Sequence, residues 1–270
     1  MIARISILIT ALAISWSAFA HDEQYTIGII GTGNMGSALG RGLAKSGHRV
    51  VYGSRSPSSD RVRALMATTG NDATATSQKE AAQQSDIIIL AVPWLAVKEL
   101  IDTLGDLEGK IIVDITTADR QAADGYLESA VDSSSSELIR DWAPGARVVK
   151  TPFTASQVLE DPLKFGEPTV TYIASDDREA KEIVAAIAIQ LNLFPLDAGP
   201  LRMARAIDQI GFLYLTPLIQ GRDSTWVWVA RKAGDFSCVS TETWFEPVVD
   251  AGNLATFPNL EKTEVVCPKR

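Results

Sequence analysis

A strand that runs straight into three spaced glycines constrains this chain more than anything else in it. Tyr25 to Ile30 is short, apolar and β-rich, and it continues as Gly31-Thr32-Gly33-Asn34-Met35-Gly36. Ser37 to Ser46 then reads as a helix stopped by Gly47, and Arg49 to Tyr52 as a second strand. In such a strand–turn–helix, Gly31 permits the tight turn, Gly33 lets a pyrophosphate approach the backbone, and Gly36 allows close packing of helix on strand. Free amides at the positive end of the helix dipole complete an anion site. The spacing of these parts implies a dinucleotide-binding loop.

The rest of the chain continues the alternation. Ser58 or Ser59 caps a helix running through Met66, Thr74 to Thr76 is a short strand, and Gln78 to Gln84 is a short helix. Asp86 to Val92 (DIIILAV) is an apolar run that suits a strand buried on both faces of a parallel sheet, and Pro93 ends it. Leu95 to Leu104 reads as a helix with Val97, Leu100, Ile101 and Leu104 on its apolar face. Ile111 to Ile115, Arg147 to Lys150 and Thr169 to Ala174 are further strands, and Arg178 to Leu191 is a long helix. Ser133 to Ser136 is the one low-complexity stretch and is expected on the surface, leading into a helix. This order implies an α/β, doubly wound Rossmann domain over residues 21–221. Residues 1–20 precede it, and a helical or irregular C-terminal extension, residues 222–270, follows.

The end of the second strand selects the nucleotide. An Asp or Glu there holds the ribose 2′-hydroxyl of NAD. No acidic residue occurs between Asn34 and Ser59, and the positions in question read Gly53-Ser54-Arg55-Ser56. A guanidinium and hydroxyls suit a 2′-phosphate dianion instead, with Arg61 or Arg63 adding charge. The expected cofactor is therefore NADP(H).

Four segments then carry a specific resemblance. GIIGTGNMGSALGRGLAKSGHRVVYGSR, LAVPW, PLDAGPL and LTPLI together resemble the NADP oxidoreductases that depend on the deazaflavin coenzyme F420. The oxidoreductase domain of the STEAP metalloreductases is similar. The resemblance spans about Tyr25 to Gly221. It implies that Gly31, Thr32, Gly33, Asn34, Met35, Gly36, Ser54 and Arg55 hold NADP, and that Val92, Pro93 and Trp94 lie along the nicotinamide side. It places the acceptor beside Thr151, Pro152, Phe153 and Thr154 and the Asp197, Gly199, Pro200 and Leu201 segment, the latter as a loop after the long helix. An acceptor pocket for a flat ring is expected to be apolar, with few charges. The chain departs from the family at Phe153-Thr154, where a His-Thr or Asn-Thr pair is usual, so the polar group before Thr154 is lost. It departs again after Gly221, where none of the following residues match; Trp226, Trp228, Trp244 and Phe245 make that extension aromatic.

Absent chemistry narrows the mechanism. His21 and His48 are the two histidines, and neither is placed as a general acid or base. Lys150, Asp114 and Asp197 are the remaining candidates, without a motif, and no metal-ligating cluster appears. Hydride transfer between stacked ring cofactors needs little acid–base help. The readings are therefore three: hydride transfer between NADPH and F420 or a flavin, NADPH-dependent reduction of a small carbonyl or imine, and NADP binding without turnover. The net charge of −8 disfavours nucleic acid as a partner, and the partners expected are the small-molecule cofactor and acceptor. A homo-oligomer is compatible with all three readings.

Location is a separate expectation. Ile5 to Ala20 is almost wholly apolar and ends in Ala18-Phe19-Ala20, which fits a secretory signal cleaved before His21 and a periplasmic protein. The alternative is an uncleaved N-terminal membrane anchor. Cys238 and Cys267, the two cysteines, then form a disulfide candidate, with two free thiols as the alternative.

Overall fold

The computed structural model describes residues 23–162 and 168–221. The expected signal segment, residues 1–20, the C-terminal extension and both cysteines lie outside the described residues.

Among the described residues, ten strands and eight α-helices follow in chain order. The first half comprises β1 (Thr26–Ile30), α1 (Asn34–Lys45), β2 (Arg49–Gly53), α2 (Asp60–Thr69), β3 (Thr74–Thr76), α3 (Gln78–Gln84), β4 (Ile87–Leu90), a 3₁₀ turn (Trp94–Ala96), α4 (Val97–Thr103) and β5 (Ile111–Asp114). The second half comprises β6 (Asp119–Gln121), β7 (Leu127–Ser129), α5 (Ser135–Trp142), β8 (Arg147–Lys150), α6 (Ser156–Glu160), β9 (Thr169–Ala174), α7 (Arg178–Gln190), β10 (Leu193–Gly199) and α8 (Ala204–Ile219). The main sheet runs β10-β9-β8-β5-β4-β1-β2-β3. Its pairs from β3 to β8 are parallel, β9 is antiparallel to β8, and β10 is parallel to β9.

The apolar runs explain this architecture. In β1 and β4, Ile27, Ile29, Ile87 and Ile89 enter one core with Leu39, Leu43, Val184 and Ile187 of α1 and α7. Their neighbours Ile30, Ile88 and Leu90 enter a second core with Ala81, Leu100, Ile101 and Ile139 of α3, α4 and α5. Successive strand residues point to opposite faces, so a central strand needs apolar residues throughout once helices cover both. Burying each such Ile or Leu contributes about 1.5–3 kcal/mol. Among the described residues, no helix is long and apolar enough to cross a membrane.

Three expectations change. Leu193–Gly199 is an edge strand, so Asp197 and Gly199 belong to a strand rather than a loop. Pro195 is tolerated there because an edge strand has one side without a ladder partner. The antiparallel pair β6–β7 appears where nothing regular was expected. Ser134, Ser135 and Ser136 are fully buried, not on the surface. Ser134 does lead into a helix: it caps α5, its side chain accepting from the Glu137 amide.

Candidate cofactor and active site

The glycine loop lies where the backbone demands it. Gly31 has φ +123, which an L side chain rarely adopts, and its amide donates to the Gly53 carbonyl at 3.1 Å. A Cβ on Gly31 would run into the Ala91 carbonyl, and one on Gly36 into the Gly31 carbonyl. Gly33 differs: a Cβ there meets nothing within 4 Å. Gly31 and Gly36 are thus required by packing, whereas Gly33 faces open space over the start of α1. Gly33 is also the N-cap of α1 and offers no side-chain cap, and the first turn carries no acidic residue. The amide end of the helix is left for an anion from outside.

That open space belongs to a cleft of about 730 Å³ lined by Gly31, Thr32, Gly33, Ser54, Arg55, Arg61, Val92 and Pro93, with others from α2, α3 and α4. The cleft meets the strand ends of β1, β2 and β4, at the switch point where chain order reverses across the sheet. Arg55 has no hydrogen-bond or ion-pair partner among the described residues. Arg61 reaches back from α2 and donates to Thr32 Oγ1 at 2.9 Å. Arg63 is engaged by Asp60 and the Ser58 carbonyl, so of these two arginines it is Arg61 that lines the cleft. The donor set of hydroxyls and guanidiniums, with no carboxylate at the end of β2, fits the 2′-phosphate of NADP(H).

The other expected residues are distributed as follows. Asn34, Met35 and Gly36 form the first turn of α1. Trp94 stacks on Trp142 of α5, with centroids 5.5 Å apart. Thr151 is buried and pairs through its hydroxyl with Thr171 at 2.9 Å. Phe153 is 1% exposed and sits in the core at φ 50, while Pro152 and Thr154 are half-buried. Asp197 pairs with Lys181 at 2.7 Å and lines a separate hollow with Ser175, Asp176 and Arg178. Pro200 is exposed, and Leu201 is buried against the second core. None of the eight residues expected beside the acceptor, which are these seven and Gly199, lines the glycine-loop cleft.

His48 is a structural residue. It is buried, Nδ1 accepts from the Tyr25 amide, and Nε2 pairs with Gln190 Oε1 at 2.7 Å.

Sequence reasoning missed two groupings. The first is the cleft face of the turn and α4, where Ala96, Glu99, Leu100 and Thr103 line one stripe. Their i, i+3, i+4, i+7 spacing after LAVPW was a legible signal. The second is a buried charge cluster at the ends of β5 and β8. Lys150 Nζ lies 2.6 Å from Asp208 Oδ1 of α8, 3.4 Å from Asp114 Oδ2 and 2.8 Å from Ser135 Oγ, and it donates to the Thr116 carbonyl. Asp114 also accepts from the hydroxyls of Ser135 and Ser136, each at 2.6 Å, and from Thr116 at 2.7 Å. Burial alone would raise the Asp114 carboxyl, but Lys150 and these hydroxyls outweigh it and hold the group below its ordinary range. Burial would lower Lys150, and the two carboxylates push it up instead. Asp208 is raised, by burial first and by the Asp114 charge, against the pull of Lys150. Among the described residues, no group of three or more His, Cys, Asp or Glu is placed to hold a metal ion.

The fold and the cleft together are those of an NADP-binding Rossmann domain. Residues 26–118 match the profile of the family described as NADP oxidoreductase, coenzyme F420-dependent. The chain is 30% identical over 189 residues to the metalloreductase STEAP3 of Rattus norvegicus, covering 70% of this chain and 36% of that protein. It therefore spans between a third and two fifths of the length of the metalloreductases it matches. It is 26% identical over 203 residues to the F420-dependent NADP reductase of Methanocaldococcus jannaschii, covering 71% of this chain and 88% of that one. A solved structure from Arthrobacter sp. FB24, provisionally described as an F420-dependent NADP reductase, superposes with a TM-score of 0.67 at 22% identity. It covers 77% of this chain and all of its own, a likeness of fold.

Proposed function

We propose that this protein is an NADP(H)-dependent oxidoreductase that transfers hydride between NADPH and a flavin-like or deazaflavin coenzyme. The observation that carries the reading is the end of β2. Ser54, Arg55 and Arg61 line the cleft there with no acidic residue between Asn34 and Ser59. A carboxylate in this place would repel a 2′-phosphate, whereas a guanidinium forms charge-assisted hydrogen bonds to it.

Bound NADPH supplies the hydride. The chain's residues supply position: the α1 amides beyond Gly33 take the pyrophosphate, and Val92 and Pro93 form an apolar wall beside the ring end of the cleft. None of the described residues lining the cleft is a histidine, lysine or tyrosine, and hydride transfer between two flat rings needs little acid–base help, the accompanying proton coming from solvent. The likeness to the reductase of Methanocaldococcus jannaschii over most of its length supports an acceptor of the deazaflavin or flavin type.

The experiment is anaerobic oxidation of NADPH, followed by its near-ultraviolet absorbance, with F420, FMN, FAD and a panel of small carbonyl and imine compounds. Turnover with a ring acceptor is expected; turnover with the carbonyls or imines alone, or with nothing, overturns the assignment. We also propose export through residues 1–20 and a Cys238–Cys267 bridge. Mature protein should begin at His21 and be two hydrogens lighter than its reduced form by mass spectrometry. An intact Met1 with two free thiols would overturn the export proposal.

A further inference from the structure

The cleft lined by Arg55 is also lined by residues of α2, α3 and α4 that the phosphates do not need. On the nucleotide reading above, Arg55 and Ser54 hold the phosphate on the ribose that carries the base. The pyrophosphate leaves in the other direction, over Gly33. The base must therefore lie within one ribose of Arg55, where the cleft is bounded by the start of α2, the start of α3 and the stripe on α4. Its apolar surfaces are Val62, Ala96 and Leu100, and its polar groups are Gln78, Glu99 and Thr103. Val62 and Leu100 suit the flat faces of a purine.

The polar groups differ in what they can read. The Thr103 hydroxyl is already donated to the Leu100 carbonyl at 2.8 Å. Gln78 and Glu99 make no side-chain hydrogen bond or ion pair among the described residues. The neighbouring Lys98 pairs with Asp102 at 2.6 Å, and Arg61 donates to Thr32; neither forms an ion pair with Glu99. An amide both donates and accepts, so Gln78 tolerates either purine edge. An ionised carboxylate only accepts. Next to a phosphate it would be a repulsive element. It is useful only toward a group that donates, and on the base of this nucleotide that donor is the six-amino group of adenine.

We propose that Glu99 is a base-specificity residue whose carboxylate accepts from the exocyclic amine of adenine and selects against six-oxopurines. A six-oxopurine puts a carbonyl oxygen where the amine was, so two acceptors face each other. Sites built on a hydrogen bond reject analogues that lack its partner far more strongly than apolar slots do.

The test compares NADPH with its hypoxanthine analogue, in which a carbonyl replaces the amine, by calorimetry on the protein and on Glu99→Gln. Position 99 is exposed on α4, so the variant keeps the fold. The parent should bind NADPH roughly tenfold more tightly than the analogue, the scale of one hydrogen bond to a partly solvated charged group. Glu99→Gln, which accepts or donates by turning its amide, should bring the two within about threefold, mainly by weakening NADPH. Equal binding of the two nucleotides by the parent overturns the proposal. So does an unchanged ratio in the variant, or tighter NADPH binding by it, since relief of repulsion would mean that the carboxylate faces phosphate. Failure of the parent to bind either nucleotide overturns the NADP reading itself, and is thereby distinguished from failure of the base assignment.

Discussion

Replacing Lys150 with methionine removes the one positive charge from a cluster that is almost sealed from water. Lys150 is 1% exposed, Asp114 0% and Asp208 4%. At an effective dielectric of about 20, unit charges 2.6 Å apart attract by roughly 6 kcal/mol and those 3.4 Å apart by roughly 5 kcal/mol. Most of this is offset by the cost of taking three charges out of water. Methionine fills similar volume but leaves two carboxylates buried together, and removing one partner of a buried pair costs about 3–5 kcal/mol. For a domain near 200 residues that corresponds to a melting point lower by roughly 6–20 °C. Urea denaturation at pH 7, followed by circular dichroism, measures the loss. Asp208→Asn should cost much less, because it leaves Lys150 neutralised by Asp114 with the hydroxyls of Ser135, Ser136 and Thr116 in place. The pH dependence has a definite sign. Asp208 has a raised folded-state pKa, so the folded protein takes up its proton before the unfolded chain does. Lowering the pH therefore favours the folded state through this group, and the Lys150→Met deficit should shrink as Asp208 protonates. A loss under about 1 kcal/mol in Lys150→Met, or an equal loss in Asp208→Asn, would refute the view that Lys150 is the neutralising centre.

Arg55→Ala should weaken NADPH binding by about 1.5–3 kcal/mol and leave NADH nearly unchanged; equal affinities for the two nucleotides in the parent, by calorimetry, would remove the 2′-phosphate assignment. Gly33→Val should abolish nucleotide binding in a folded protein, because a side chain there projects into open cleft, and retained affinity would put the nucleotide elsewhere. Gly36→Val, by contrast, should fail to fold, since its side chain meets the Gly31 carbonyl. Arg147 holds Asp177 well below the ordinary carboxylate range, at about 2, through bonds of 2.6 and 2.8 Å. A depressed folded-state pKa contributes stability above the unfolded value near 4, lost as pH falls toward 2. The stability gap between the protein and Asp177→Asn, from urea titrations, should accordingly close over that window, and a gap independent of pH would contradict it.

What the residue order determined by itself is local or periodic. The strand, the glycine turn and α1 are contiguous; Gly31 and Gly36 answer steric constraints within a few residues or beside the adjoining strand, and Gly33 leaves the cleft open. The buried strand Ile87–Leu90 is legible because a strand covered on both faces must be apolar at every position. Arg55 is legible because the end of the second strand is a known distance from the turn. Tertiary structure decided the rest. Leu193–Gly199 contains Pro195 and Asp197, which break any strand pattern, and it becomes a strand only because β9 offers an edge to pair with. Ser134 to Ser136 reads as surface by composition, yet Asp114, some twenty residues earlier, is a buried carboxylate that needs donors, and their hydroxyls supply them. Asp208 looks like a solvent-facing residue on the last described helix until Lys150, 58 positions away, is found 2.6 Å from it. Charges and hydroxyls can be buried only in company, and in this chain that company comes from distant parts of the sequence, so no local pattern announces it.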